Sequence, residues 1–157
     1  MQIHLDIQNS IDADDIPTQT QIGEWIKTTL NQINYEANTA CLTLRIVSSD
    51  EIQQLNSDFR GKESPTNVLS FPFEIPEMIP ASEFEGVLGD LAICRDLVIS
   101  EAQQQDKLIE HHWAHLIVHG VLHLLGYDHI EDHDAEAMES LEVVILAKHQ
   151  IKDPYLS

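Results

Sequence analysis

His119-Gly120-Val121-Leu122-His123-Leu124-Leu125-Gly126-Tyr127-Asp128-His129 is the stretch that decides how this chain is read, because its histidines fall at H-x-x-x-H-x-x-G-x-x-H. Residues four apart on a helix project from one face about 5–6 Å apart, close enough for two imidazoles to hold one metal ion. Gly126 lacks a Cβ, so it can take the left-handed conformation that ends a helix and turn the chain back to bring His129 to the same point. Three imidazoles with a vacant fourth place describe a catalytic zinc site, since structural zinc sites usually close all four positions, mostly with sulfur. His119, His123 and His129 are therefore the expected ligands of one Zn2+ per chain.

Six of the nine histidines lie between His111 and His129. His115, four residues before His119, is the rival ligand. A helix rises about 1.5 Å per residue, so the outer pair of an i, i+4, i+8 row stands about 12 Å apart, and His115 is expected beside the ligands or at the surface. His111, His112 and His133 are expected to be ordinary polar positions, and Asp128 either orients an imidazole or serves the turn. The spacing resembles the long zinc motif of metzincin proteases, but Gly120 stands where their general-base glutamate would be. Peptide hydrolysis is hard to write without that carboxylate. Zinc can still lower the pKa of its water to roughly 7, so phosphodiester cleavage is the more natural use, given a cation for the phosphate.

Outward from the histidines, Ile3 to Gln8 alternates at period two and reads as a strand with one buried face. Pro17 can open a helix whose stripe is Ile22, Trp25, Ile26, Thr29, Leu30 and Ile33. Cys41 to Val47 is a second strand, and Ser49 or Asp50 can cap a short helix through Leu55. In the third strand Leu69, Phe71 and Phe73 point one way, and Pro72, which cannot donate to a ladder, places it at or near a sheet edge. Residues Ile75 to Glu85 read as an exposed connection, followed by a fourth strand at Gly86 to Cys94. Helices are expected at Asp96 to Gln105, Leu108 to Leu125 and Asp134 to His149. The fold class is α+β, a small mixed four-stranded sheet packed with helices, one of them a zincin-like metal-bearing helix, in a single domain over residues 1–157.

At 157 residues and 43% hydrophobic the chain can fill one core, but 27 acidic against 8 basic residues leave a formal charge of −19. That balance excludes a basic protein that coats nucleic acid, and the periodic apolar pattern excludes extended disorder. Met1 to Ser10 has no basic cluster followed by an apolar stretch, and no apolar run reaches the ~18 residues of a membrane span, so a cytoplasmic protein without membrane contact is expected. Cys41 and Cys94, far apart and outside any CxxC, are expected to be small core residues. The search for a phosphate-binding cation is short. Arg45 and Arg95 lie within or beside strands, whereas Arg60 and Lys62 flank Gly61 in the loop before the third strand. A guanidinium grips two phosphate oxygens and stabilises charge that grows in the transition state, which makes Arg60 the candidate catalytic residue.

Two stretches together, R-G-x-x-x-P-T-N-V-L-S-F-P at Arg60 to Pro72 and H-G-x-L-H-L-x-G-Y-D-H at His119 to His129, resemble the YbeY family of bacterial endoribonucleases, as does Gly89-Asp90-Leu91-Ala92-Ile93 between them. The resemblance runs from about Leu42 to Leu141. It implies a zinc-dependent, single-strand-specific endoribonuclease that matures ribosomal RNA, notably the 3′ end of the small-subunit RNA, and serves ribosome quality control. It also implies that His119, His123 and His129 hold the zinc and that Arg60 is the functional arginine. The alternatives are a zincin-type peptidase or amidase, and a non-catalytic module that zinc staples together and that docks on the ribosome. Glu131, Asp132, Asp134, Glu136, Glu139 and Glu142 form the densest acidic cluster, a surface that a basic ribosomal protein would complement.

Overall fold

The period-two alternation of the N-terminal residues becomes β1 (Gln2–Asn9), whose Ile3, Leu5 and Ile7 pack partly buried against the main core. The structure, a computed structural model, describes residues 1–60, 67–80, 84–127 and 132–156, with backbone alone for Phe59, Arg60 and Asp132. Helix α1 (Gln19–Gln32) buries Ile22, Trp25, Ile26, Thr29 and Leu30, the expected stripe. It starts from Thr18, not Pro17: the Gln21 amide donates to Thr18 Oγ1 (3.1 Å) and the Thr18 amide to Gln21 Oε1 (2.9 Å), a reciprocal cap that satisfies two otherwise orphaned donors. After β2 (Thr39–Val47), helix α2 spans Ser49–Arg60, longer than the short helix expected. Its cap is Ser48, whose Oγ accepts from the Glu51 amide at 3.2 Å, and Arg60 is its last residue.

Strand β3 (Val68–Pro72) pairs antiparallel with β4 (Val87–Cys94), while β1, β2 and β4 run parallel, giving the order β1-β2-β4-β3. Pro72 therefore ends a strand at the sheet edge, where its missing N–H costs no ladder bond. The chain closes with α3 (Arg95–Gln104), α4 (Ile109–Leu124) and α5 (Asp132–Ala147), so the described residues form a mixed α+β fold of four strands and five helices.

α4 is apolar nearly all round, as suits a central helix. Trp113, Leu116, Ile117, Val118, Val121 and Leu122 are buried on it, and it touches α1, α3, α5, β3 and β4. A smaller cluster of Val47, Ile52, Leu69, Ala92 and Cys94 lies outside that main core and involves α2. Cys94 is buried as expected, but Cys41 is only half-buried: with odd-numbered neighbours of β2 it faces away from the main core.

Candidate metal centre

The strip of α4 that is not sealed into the core carries His115, His119 and His123, one turn apart. Their rings approach as the chain descends the helix, 6.3 Å between the centroids of His115 and His119 and 4.5 Å between His119 and His123. The Nε2 atoms of His119 and His123 face each other at 3.1 Å. Two imidazole nitrogens bound at ~2.0–2.1 Å to a tetrahedral zinc stand about 3.3 Å apart, so this pair fits the ion with almost no movement. Without metal the same separation is spanned by one N–H···N hydrogen bond, and a cation would displace that proton.

Below His123 the helix ends as expected. The Gly126 amide donates to the His123 carbonyl and the Tyr127 amide to the Leu122 carbonyl, both at 3.1 Å, and Gly126 has φ of +97°. This paired pattern with a left-handed glycine is the Schellman stop, which turns the chain sharply off the helix axis. The expected third ligand, His129, lies outside the described residues, as does Asp128. Among the described residues no three His, Cys, Asp or Glu side chains come together as a metal site. The side chain of Arg60 lies outside them too, as does Lys62.

The sequence reading missed the carboxylate beneath the histidines. Glu142 on α5, taken there as one of an exposed acidic cluster, is fully buried. Its Oε1 accepts from His115 Nε2 at 2.7 Å and from the Tyr155 hydroxyl at 2.8 Å, and His119 Nδ1 lies 3.4 Å from the same carboxylate. Burial pushes this carboxyl up, but hydrogen bonds from His115 and His119, and their charge, outweigh it and bring it down to about 2. Tyr155 is pushed well above an ordinary phenol by its own burial and by the Glu142 charge. The signal was present in the sequence: Met138, Glu142 and Ile145 fall at i, i+4, i+7 on the buried stripe of α5, and an acid on such a stripe is there because it is paired. A proton held on Nδ1 by a carboxylate leaves Nε2 its lone pair for a metal. His115 does not join the ligand pair. It shares the Glu142 carboxylate with His119, while its Nδ1 is buried with no hydrogen-bond partner among the described residues.

Position 120 faces the sheet. A Cβ there would meet Leu91 Cδ2 at 2.8 Å, and the Ser70 hydroxyl donates to the Gly120 carbonyl at 3.2 Å. Glycine lets α4 press onto β3 and β4, and any larger side chain at this position, glutamate included, needs the buried Leu91 to shift. His112, expected to be an ordinary polar residue, is instead buried at 3% exposure with Nε2 2.8 Å from Glu101, which also accepts from Asn67 Nδ2 at 3.1 Å. Burial pushes the His112 imidazole down, and the Glu101 bond opposes this. Asn67, the first described residue after the segment 61–66, is thus tied to α3 and α4 together. Arg45 is paired with Glu51 at 2.6 Å and Arg95 with Asp15 and Asp96, so both are structural.

The family model for endoribonuclease YbeY matches residues 5–150. The chain belongs to the YbeY endoribonuclease family. That membership carries its activity class, a hydrolase that cleaves RNA internally and acts in ribosomal RNA processing. The chain is also similar to a solved structure, TM1509 from Thermotoga maritima, determined in solution. The TM-score is 0.58 at 24% identity, covering 99% of this chain and 96% of that one, a likeness of fold. No helix among the described residues of this YbeY-family chain is long and apolar enough to cross a membrane.

Proposed function

We propose that this YbeY-family chain is a zinc-dependent, single-strand-specific endoribonuclease of the cytoplasm that matures the 3′ end of small-subunit ribosomal RNA and serves ribosome quality control. His119, His123 and His129 would hold one zinc per chain, and Arg60 would stabilise the phosphate. The observation that supports the reading most is the 3.1 Å approach of the His119 and His123 Nε2 atoms on a helix that stops at Gly126. When bound, zinc supplies Lewis acidity toward a phosphoryl oxygen and a lowered pKa for water. Glu142 holds the Nδ1 proton of His119 and thereby orients its ring, and His115 and Tyr155 hold Glu142. Arg60, at the end of α2, binds the phosphate and stabilises the charge that grows on it.

A charge of −19 opposes an RNA substrate only where it is felt. The Debye length is about 8 Å at physiological ionic strength, so acids on distant faces contribute little inside the site. Affinity then rests on few phosphate contacts and on docking: a basic ribosomal protein would complement the acids that do remain at the surface of α5, Asp134, Glu136 and Glu139.

The test is cleavage of a defined RNA in single-stranded and duplex form, with and without chelator. The single strand is cut, the duplex is spared, and chelator abolishes cleavage until zinc is restored. Arg60→Ala keeps fold and zinc but loses about 10²-fold in cleavage rate. Cleavage that survives metal removal, or an Arg60→Ala variant with full activity, contradicts the reading.

A further inference from the structure

Beside the histidine strip a cleft of about 660 Å³ opens between the turn that joins α3 to α4 and the C-terminal tail. Its walls include Lys107, Lys152, His111, His115, Leu108 and Leu156. His115 belongs to both places: it lines this cleft and it bonds the Glu142 that faces His119. The cleft is therefore linked to His119 through the hydrogen-bonded series His115–Glu142–His119.

Its charge differs from the rest of the chain. Across the sequence acids outnumber Lys and Arg by 27 to 8, but the residues that line this cleft include two lysines, Lys107 and Lys152, against two acids, Asp106 and Asp153, with two imidazoles besides. Arg45 and Arg95 are spent on ion pairs elsewhere. Lys152 is exposed and makes no ion pair among the described residues, and the Lys107 ammonium donates to the Pro154 carbonyl at 3.0 Å rather than to a carboxylate. Leu108 and Leu156 are 65% and 74% exposed at this cleft, apolar surface that the described residues leave uncovered. Cations beside apolar and imidazole surface form the combination that takes a single-stranded nucleotide, its phosphate on the lysines and its base against the flat or apolar side chains.

We infer that this cleft is a nucleotide subsite that binds the single strand next to the phosphodiester being cut, with Lys152 and Lys107 on its phosphate and Leu108, Leu156 and His111 against its base. The inference rests on the proposed ribonuclease activity and adds to it the path of the strand. Tyr155, bonded to Glu142 from the same tail, holds the tail in place as one wall.

The experiment uses the full zinc-loaded chain and a short defined single-stranded RNA carrying 4-thiouridine. Lys152→Gln is compared with Lys27→Gln, the same charge change at an exposed position of α1. Lys152→Gln is expected to raise KM about three- to fivefold with kcat unchanged, and to reduce the slope of log affinity against log salt by about 0.7. Lys27→Gln is expected to do neither, and photocrosslinks should map to residues 105–111 or 150–156. Equal behaviour of the two variants, or crosslinks only elsewhere, overturns the subsite while leaving wild-type cleavage and its chelator sensitivity standing. A wild-type protein that neither binds nor cuts RNA overturns both proposals.

Discussion

Replacing Glu142 by Gln is the sharpest perturbation that the structure offers, because it keeps the shape of a fully buried side chain and removes only its charge. Three donors converge on the carboxylate, from His115 at 2.7 Å, Tyr155 at 2.8 Å and His119 at 3.4 Å. An amide offers one oxygen and turns an NH2 group toward the remaining donors, so at least one must lose its partner. Hydrogen bonds to charged groups contribute about 1.5–3 kcal/mol each, and relief of a buried charge offsets part of the loss, so the metal-free protein should lose about 2 kcal/mol. For zinc the effect acts through His119, whose Nδ1 no longer faces a carboxylate. Loss of such an outer partner typically costs 10–100-fold in metal affinity, or about 1.4–2.7 kcal/mol. Competition with a chromophoric chelator reads the affinity, urea unfolding in excess chelator reads the stability, and circular dichroism confirms the fold. Tyr155→Phe is the comparison, since it removes a donor to Glu142 that does not touch His119, and its zinc affinity should fall less than threefold. A folded Glu142→Gln protein that binds zinc within twofold of the parent refutes the reasoning.

Gly120→Ala should lose up to about 2 kcal/mol in urea unfolding, because a Cβ 2.8 Å from Leu91 costs about 1–3 kcal/mol of overpacking against roughly 1 kcal/mol of gained helix propensity. Gly120→Glu should be still less stable and show no peptidase activity on a casein substrate. Gly126→Ala, with nothing near its Cβ but φ of +97°, should cost about 1–2 kcal/mol through backbone strain alone. It should also weaken zinc binding if His129 is a ligand, which isothermal titration would show. Burial holds the His112 imidazole below its usual 6.5, so its neutral form contributes stability above pH 6.5 that is lost as the pH falls and the unfolded chain takes up the proton. An NMR titration should place its midpoint below 6.5, and the urea midpoint should drop between pH 6.5 and 5.5.

Where sequence and structure agree, the signal was local. β1 follows from period-two alternation, α1 from the stripe of Ile22 to Leu30, and the helix stop from Gly126, because each rests on neighbours a few residues apart. The edge position of β3 was legible because a single residue, Pro72, forbids a central ladder. Glu142 and His112 were misjudged for one reason: an acid or a histidine reads as solvated until its partner is known, and the partners lie 27 and 11 residues away in sequence. Gly120 shows the reverse case. Its lack of a carboxylate was visible in the sequence, but the reason, the close approach of Leu91 from β4, is a tertiary fact.

His119 and His123 are expected to bind one zinc with a third imidazole and to leave one coordination place to solvent. Zinc K-edge absorption spectroscopy on the purified, zinc-loaded protein measures this directly. The expected spectrum has three imidazole nitrogens and one light oxygen around one zinc per chain, falling to two imidazoles in His129→Ala. A shell closed by four protein ligands, a sulfur scatterer, or a protein that retains no zinc would contradict it.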